Sequence, residues 1–227
     1  MEYKEYVVKK GDTLWEIARC HGICLQQLLA ANPQIENPDL IYPGQVIYIP
    51  VKDEAPCPPG KPPMCDKPYP PLRVECPNRD YARLLHEDYA GAGGEITAIM
   101  QYLYHSFACC MRYEETAELL EAIAINEMYH MEVLAKLIVL LGGDPDYTDA
   151  CGEFWCANNV AYCYCDICRQ LMANIEGERA AIAQYRRHME QINDRYVKAV
   201  LARIIEDEEH HLQLLQKAYE CECKRRD

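Results

Sequence analysis

Two short pairs in the C-terminal two thirds of the chain carry the residue types of a metal site: Glu127 with His130, and Glu208 with His211. The members of each pair stand three apart, which on a helix sets them one turn apart on one face. Apolar residues share that face, with Leu120, Ile123, Met131, Leu134 and Leu141 around the first pair and Leu201, Ile204, Leu212 and Leu215 around the second. A carboxylate on an apolar stripe loses its water, and acids are almost never fully buried unless they are paired or bound to metal. Two such carboxylates therefore require a cation.

Each pair follows a segment with an inward carboxylate of its own. Glu95 lies 32 residues before Glu127, and Glu178 lies 30 before Glu208. The leading segments repeat one another: Glu95 to Tyr102 and Glu178 to Tyr185 both span seven residues, and Gln101-Tyr102 with His105 is echoed by Gln184-Tyr185 with His188. Such a duplication builds a pseudo-twofold site in which four glutamates and two histidines converge. Glu176, which is 32 residues before Glu208, fits the first spacing better than Glu178 does. Helical phase favours Glu178: four, seven, eleven and fourteen residues further on stand Ile182, Tyr185, Met189 and Ile192, whereas the later turns from Glu176 reach Arg187 and Glu190. Glu176 then reads as a solvated or outer residue and stays the alternative ligand. His210, adjacent to His211, points about 100° away from it. Tyr102 and Tyr185 are placed to donate hydrogen bonds or electrons near the site, or simply to fill the core.

Four segments with apolar residues at helical spacing carry these side chains, over about 80 to 111, 114 to 141, 166 to 192 and 195 to 221. Gly142-Gly143-Asp144-Pro145 stops the second. Short joints within each pair of helices and one crossing of about 25 residues between the pairs predict a mainly α, antiparallel four-helix bundle over residues 78–227. Ahead of it, ten of the fourteen prolines fall between Pro50 and Pro77 and deny that stretch the donors of helix or sheet, so 52–77 is expected to be a semi-rigid, Pro- and Cys-rich linker.

Residues 1–51 read as β-α-α-β. Tyr6-Val7-Val8 and Gln45-Val46-Ile47-Tyr48-Ile49 are strand-like, Asp12-Thr13 caps a helix carrying Leu14, Ile17 and Ala18, and a second helix carries Leu25, Leu28 and Leu29 up to Asn32-Pro33. Gly11-Asp12-Thr13-Leu14-Trp15-Glu16-Ile17-Ala18, Asn32-Pro33 and Leu40-Ile41-Tyr42-Pro43-Gly44-Gln45 together resemble a LysM module. The resemblance implies docking on an N-acetylglucosamine-containing glycan such as peptidoglycan or chitin; the plainer alternative is a small α+β domain without sugar affinity.

The bundle has its own likeness. Glu95-Ile96-Thr97-Ala98-Ile99-Met100-Gln101-Tyr102-Leu103-Tyr104-His105, Asn126-Glu127-Met128-Tyr129-His130 with Leu141-Gly142-Gly143-Asp144-Pro145, and Asp207-Glu208-Glu209-His210-His211 resemble bacterioferritin helices. The wider group is the ferritin-like superfamily, with rubrerythrins and manganese catalases. That resemblance implies a ferritin-like bundle in which Glu127 and Glu208 bridge two metals, Glu95 and Glu178 are terminal, and His130 and His211 ligate one metal each. Hard oxygen donors with imidazole suit two Fe or two Mn per chain. Such a pair handles a two-electron oxidant, so the expected activity is an oxidoreductase on peroxide or dioxygen, of ferroxidase, peroxidase or catalase type. Glu127, Glu208, Tyr102 and Tyr185 are the candidates for catalytic roles, and a homo-oligomer is expected. Rubrerythrins carry two CxxC pairs, but here Cys165-Asp166-Ile167-Cys168 stands alone, so peroxidase turnover would draw on an external electron donor.

The formal charge of −13 is concentrated in the bundle, with 15 Lys/Arg against 26 Asp/Glu over 77–227 and 8 against 10 before it. This acidity argues against nucleic acid as a partner. Met1-Glu2-Tyr3-Lys4 lacks the apolar run of a signal peptide, and no stretch nears the roughly 18 to 20 apolar residues of a membrane span. The expectation is synthesis in the cytoplasm, followed by deposition on spore cortex, spore coat or cell wall. Fourteen cysteines, many in the crossover (Cys151, Cys156, Cys163, Cys165, Cys168), are too many to leave idle; disulfides, cross-links and a further metal all stay open, as does a non-enzymatic scaffold or metal-sequestering role.

Overall fold

The computed structural model describes residues 2–14, 17–18, 21, 23, 25–35, 37–38, 40–51, 67–110, 112–163 and 166–224. The chain forms two compact units, Met1–Pro58 and Pro59–Asp227.

In the first unit β1 (Glu2–Val7) pairs antiparallel with β2 (Val46–Val51), in a register that sets Glu2 opposite Val51 and Val7 opposite Val46. Leu14, Ile17 and Ala18 are helical and buried, and α1 (Leu25–Ala30) follows. Leu28, Ile23, Ile47 and Ile49 close the small core with them. Asn32 pins the end of α1 to β2: its amide donates to Leu28 O at 2.7 Å and Tyr48 O at 2.6 Å, and its oxygen accepts from Tyr48 N at 2.7 Å. Trp15 and Glu16 lie outside the described residues.

The second unit is helical. Its elements are α2 (Arg79–Ala90), α3 (Glu95–Cys109), α4 (Glu114–Leu140), α5 (Ile167–Gln191) and α6 (Arg195–Tyr219). Asn78, Asp166 and Asp194 cap α2, α5 and α6 through their side chains. Gly142, at φ 86°, ends α4 in the left-handed turn that glycine accepts without strain. Leu85, Leu134, Leu137, Ile138, Val200, Leu201 and Ile204 pack one end of the bundle; Leu120, Ile123, Leu171 and Leu215 pack the other.

Two features differ from the sequence expectation. The helix predicted over 80–111 is two helices, because Gly91 and Gly94 bring the chain so close to itself that a side-chain carbon at 94 would stand 2.6 Å from Asp88 O. Glu95 therefore opens α3 as a first-turn residue. The expected linker also reaches less far toward the bundle: 52–66 lie outside the described residues, but 67–77 run along the helices. Arg203 Nε donates to Lys67 O at 3.0 Å, Glu75 N donates to Asp194 at 2.6 Å, and Arg73 stacks on Tyr196 at 4.0 Å. The bundle's packing begins at Lys67, ahead of residue 78.

Among the described residues the crossover between α4 and α5 holds one short 3-10 turn, Ala157–Asn159, and a single bridge between Thr148 and Phe154. Cys168, at the start of α5, is disulfide-bonded to Cys223 beyond α6. Cys76, Cys109, Cys110, Cys151, Cys156, Cys163 and Cys221 are free thiols; Cys20, Cys24, Cys57, Cys65 and Cys165 lie outside the described residues.

Candidate metal centre

At mid-bundle α3 contributes Glu95, α4 Glu127 and His130, α5 Glu178, and α6 Glu208 and His211. None of the six exposes more than 4 % of its surface. The donor atoms of Glu95, Glu127, His130 and Glu208 lie within 4.8 Å of one another, and so do those of Glu127, Glu178, Glu208 and His211. Glu127 and Glu208 belong to both sets. Glu127 points Oε2 at His130 Nδ1 (2.7 Å) and Oε1 at His211 Nδ1 (2.9 Å). Glu208 does the reverse, with Oε1 3.1 Å from His130 and Oε2 2.9 Å from His211. Glu95 stands at the His130 end (3.9 Å) and Glu178 at the His211 end (3.6 Å). Glu176 is exposed on the far side of α5, and His210 is half-buried.

The electrostatics describe a centre with too much negative charge for its surroundings. Burial, then the neighbouring Glu127 and Glu208, raises Glu95 well above the ordinary carboxyl range. Burial and Glu208 push Glu178 up to about 8. At Glu127 burial works in the same direction, but His211 and His130 outweigh it and hold that carboxylate ionised. Burial opposes a charge on either histidine, yet the carboxylates raise both, led by Glu208 at His130 and by Glu127 at His211. Without metal, protons must supply the positive charge. Two divalent cations would take over that role, one beside each histidine, since each of the two donor sets gathers three carboxylates and an imidazole within 4.8 Å. The donor set fits a two-metal site.

Family comparison agrees. The manganese-containing catalase model matches residues 68–147 and the LysM domain model residues 6–50. A probable manganese catalase of Clostridium acetobutylicum is 32% identical over 168 residues, spanning 65% of this chain and 73% of that relative. The chain belongs to the manganese catalase family. The solved manganese catalase KatB from Anabaena is similar at 27% identity and a TM-score of 0.65, over 72% of this chain and 82% of its own. The LysM part is 49% identical over 49 residues to the spore coat assembly protein ExsA of Bacillus cereus, which is 22% of this chain and 8% of that protein.

Around the six donors stands a ring of polar groups, in which the tyrosines, glutamines and outer histidines of the repeated pattern meet Asp88, Asn174, Asn126 and Asp207, four partners that the sequence did not single out. Tyr102 donates to Glu178 and Tyr185 to Glu95, each tyrosine reaching across to the other half's carboxylate. Gln101 Nε2 and His105 Nδ1 both meet Asn174 Oδ1 at 3.0 Å. In the other half Gln184 Nε2 and His188 Nδ1 meet the two oxygens of Asp88, at 3.0 and 2.8 Å. Asn126 and Asp207, each one residue before a shared glutamate, reach the outer nitrogens of the histidines. The repeat of Gln101 and His105 at 184 and 188 was the available signal that polar partners were needed. Nothing in the sequence named them.

A cavity of about 180 Å³ leads to the shared glutamates. Ala92, Gly93, Gly94, Ala98, Gly177 and Ala181 keep it narrow, and Asp88, Gln101, Asn174 and Gln184 line it with polar groups.

Proposed function

We propose that this manganese catalase family chain disproportionates hydrogen peroxide at a two-manganese centre held by Glu95, Glu127, His130, Glu178, Glu208 and His211, while its LysM part docks on an N-acetylglucosamine-containing glycan such as peptidoglycan. The observation that carries the reading is the split of Glu127 and Glu208, each offering one oxygen toward either histidine. Two manganese ions, when bound, supply a reversible two-electron store, through which one peroxide is reduced to water and a second is oxidised to dioxygen. Because the second peroxide is the reductant, this cycle needs no external electron donor.

The chain's own residues prepare that chemistry. Tyr102 and Tyr185 fix the rotamers of Glu178 and Glu95 by donating to them. The small side chains at 92–94, 98, 177 and 181 admit a molecule the size of peroxide and keep larger ones from the shared carboxylates. Gln101 and Gln184, anchored on Asn174 and Asp88, offer polar groups along the approach.

In the LysM unit, exposed Leu40 and Tyr42 stand beside Asn37 and Gln34 along a shallow groove, a surface suited to the apolar face and amide of a sugar chain. That surface and the ExsA likeness support a place at a wall or spore glycan layer. Among the described residues no helix is long and apolar enough to cross a membrane.

The test is elemental analysis of purified full-length protein, with an oxygen electrode. About two manganese per chain and one dioxygen per two peroxides are expected. Iron in their place, with Fe(II) oxidation and no dioxygen release, would refute the catalase assignment.

A further inference from the structure

The two histidines turn the same atom inward and meet unlike groups outside. Both bring Nδ1 to the glutamates, at 2.7 Å for His130 and Glu127 and 2.9 Å for His211 and Glu208, which leaves Nε2 as the outer nitrogen. At His130 that nitrogen faces Asp207 Oδ2 at 3.3 Å, as well as Asn126 Nδ2 at 3.1 Å. At His211 it faces the Asn126 amide at 3.1 Å. Asp207 and Asn126 occupy matching places in the duplicated pattern, and only one of them is charged.

Once Nδ1 is given to a cation, the neutral imidazole carries its proton on Nε2 and has to donate it. Asn126 Oδ1, buried and without a partner, is the acceptor available to both rings after a half-turn of the flat amide, which exchanges Oδ1 with Nδ2 and keeps the shape. A carboxylate is the better acceptor. Hydrogen bonds to ionised groups are roughly twice as strong as neutral ones, and an outer carboxylate raises the basicity of the ligating nitrogen. Asp207 is also firmly held: Arg203 Nη1 stands 2.7 Å from Oδ1, Tyr69 donates to Oδ2 at 2.8 Å, and the guanidinium lies over the Tyr69 ring at 4.5 Å.

We propose that Asp207, clamped by Tyr69 and Arg203, is a positioning residue that makes the two metal positions unequal, so that a first divalent cation settles beside His130 and a second, bound more weakly, beside His211. The inference rests on the two-metal reading above, and its test separates the two.

Metal-free, full-length protein is titrated with Mn(II) by calorimetry, with electron paramagnetic resonance at one equivalent. Wild type should bind in two resolved steps and give the spectrum of isolated ions at one equivalent. Asp207→Asn should weaken the tighter step roughly 10- to 100-fold and merge it with the second. Tyr69→Phe leaves the carboxylate's charge in place with one donor fewer, and should keep the steps apart. A clamp that is merely structural would weaken both steps together in both variants, which overturns the proposal. Two equal steps in wild type overturn it as well. If Asp207→Asn does not fold, merged steps in Tyr69→Phe are enough to overturn it. No uptake of Mn(II) at all would instead overturn the two-metal reading.

Discussion

In the first half of the bundle the chain that delivers Glu95 breaks at Gly91 and Gly94 and restarts at the glutamate itself, whereas in the second half α5 runs through Glu178 without interruption. The supports differ in the same way. Gln101 and His105 of α3 lean on the neutral Asn174 of α5; Gln184 and His188 of α5 lean on the charged Asp88 of α2. Each half is therefore steadied by the other, with one neutral clasp and one ionic clasp. The lesson is that the two halves of a duplicated site share their inner residues, as a pair of cations would require, while the outer residues differ and still satisfy the same hydrogen bonds.

The largest effect should come from separating shared from unshared glutamates. Glu127→Ala removes a member of both donor sets and should strip both metals, with peroxide turnover falling at least roughly 10³-fold. Glu95→Ala touches one set only, and should keep about one metal per chain by elemental analysis. If the two variants lose metal equally, Glu127 is not the bridge and the halves are not two sites sharing a wall.

The broken and unbroken helices can be set against each other by one methyl group. At Gly94 a side-chain carbon meets Asp88 O at 2.6 Å and Glu87 O at 2.9 Å, so Gly94→Ala should cost about 1–3 kcal/mol through forced backbone movement. In a chain of this size that lowers the melting midpoint by several degrees. At Gly177, inside α5, the nearest neighbour is Gln101 Nε2 at 4.0 Å, and Gly177→Ala should leave stability unchanged or raise it by up to about 1 kcal/mol. Peroxide turnover should fall nevertheless, since Gly177 lines the cavity. Equal thermal shifts in the two variants would erase the distinction between the halves.

The smallest effect concerns the ionic clasp. Burial raises the Asp88 carboxyl above its ordinary 3.8, although the hydrogen bond from His188 works the other way. The fold then holds that proton more tightly than the unfolded chain does. Its contribution to stability is fully present below the ordinary value and is lost as pH rises through the raised one. Asp88→Asn cannot titrate at this position, so its melting midpoint relative to wild type should improve from pH 4 to pH 7. A constant difference would mean that the ionic clasp behaves as its neutral counterpart does.

Much of the centre was legible because helical periodicity is a strict ruler. It brought Glu127 with His130 and Glu208 with His211 to one place, and it separated Glu178, which is buried, from Glu176, which is exposed only two residues away. The glycines at 91, 93 and 94 were visible too, but a run of glycine reads as weakness in a helix and not as a break that places the next residue in a first turn. The outer ring was hidden for a different reason. Asp88 meets His188, Asn174 meets Gln101, and Tyr69 meets Asp207 across 100, 73 and 138 residues, and no local pattern reports contacts of that range. The Cys168–Cys223 bond, 55 residues apart among many thiols, was equally beyond reach.

The residues from Lys67 to Asn78 have no regular structure until the cap of α2, yet they carry the hydroxyl that fastens Asp207 and the carbonyl that receives Arg203. Anyone trimming this protein to its helices would keep all six inner donors and discard part of what holds one histidine in place. A fragment that keeps both contacts has to start no later than Lys67, inside what looks on paper like spacer.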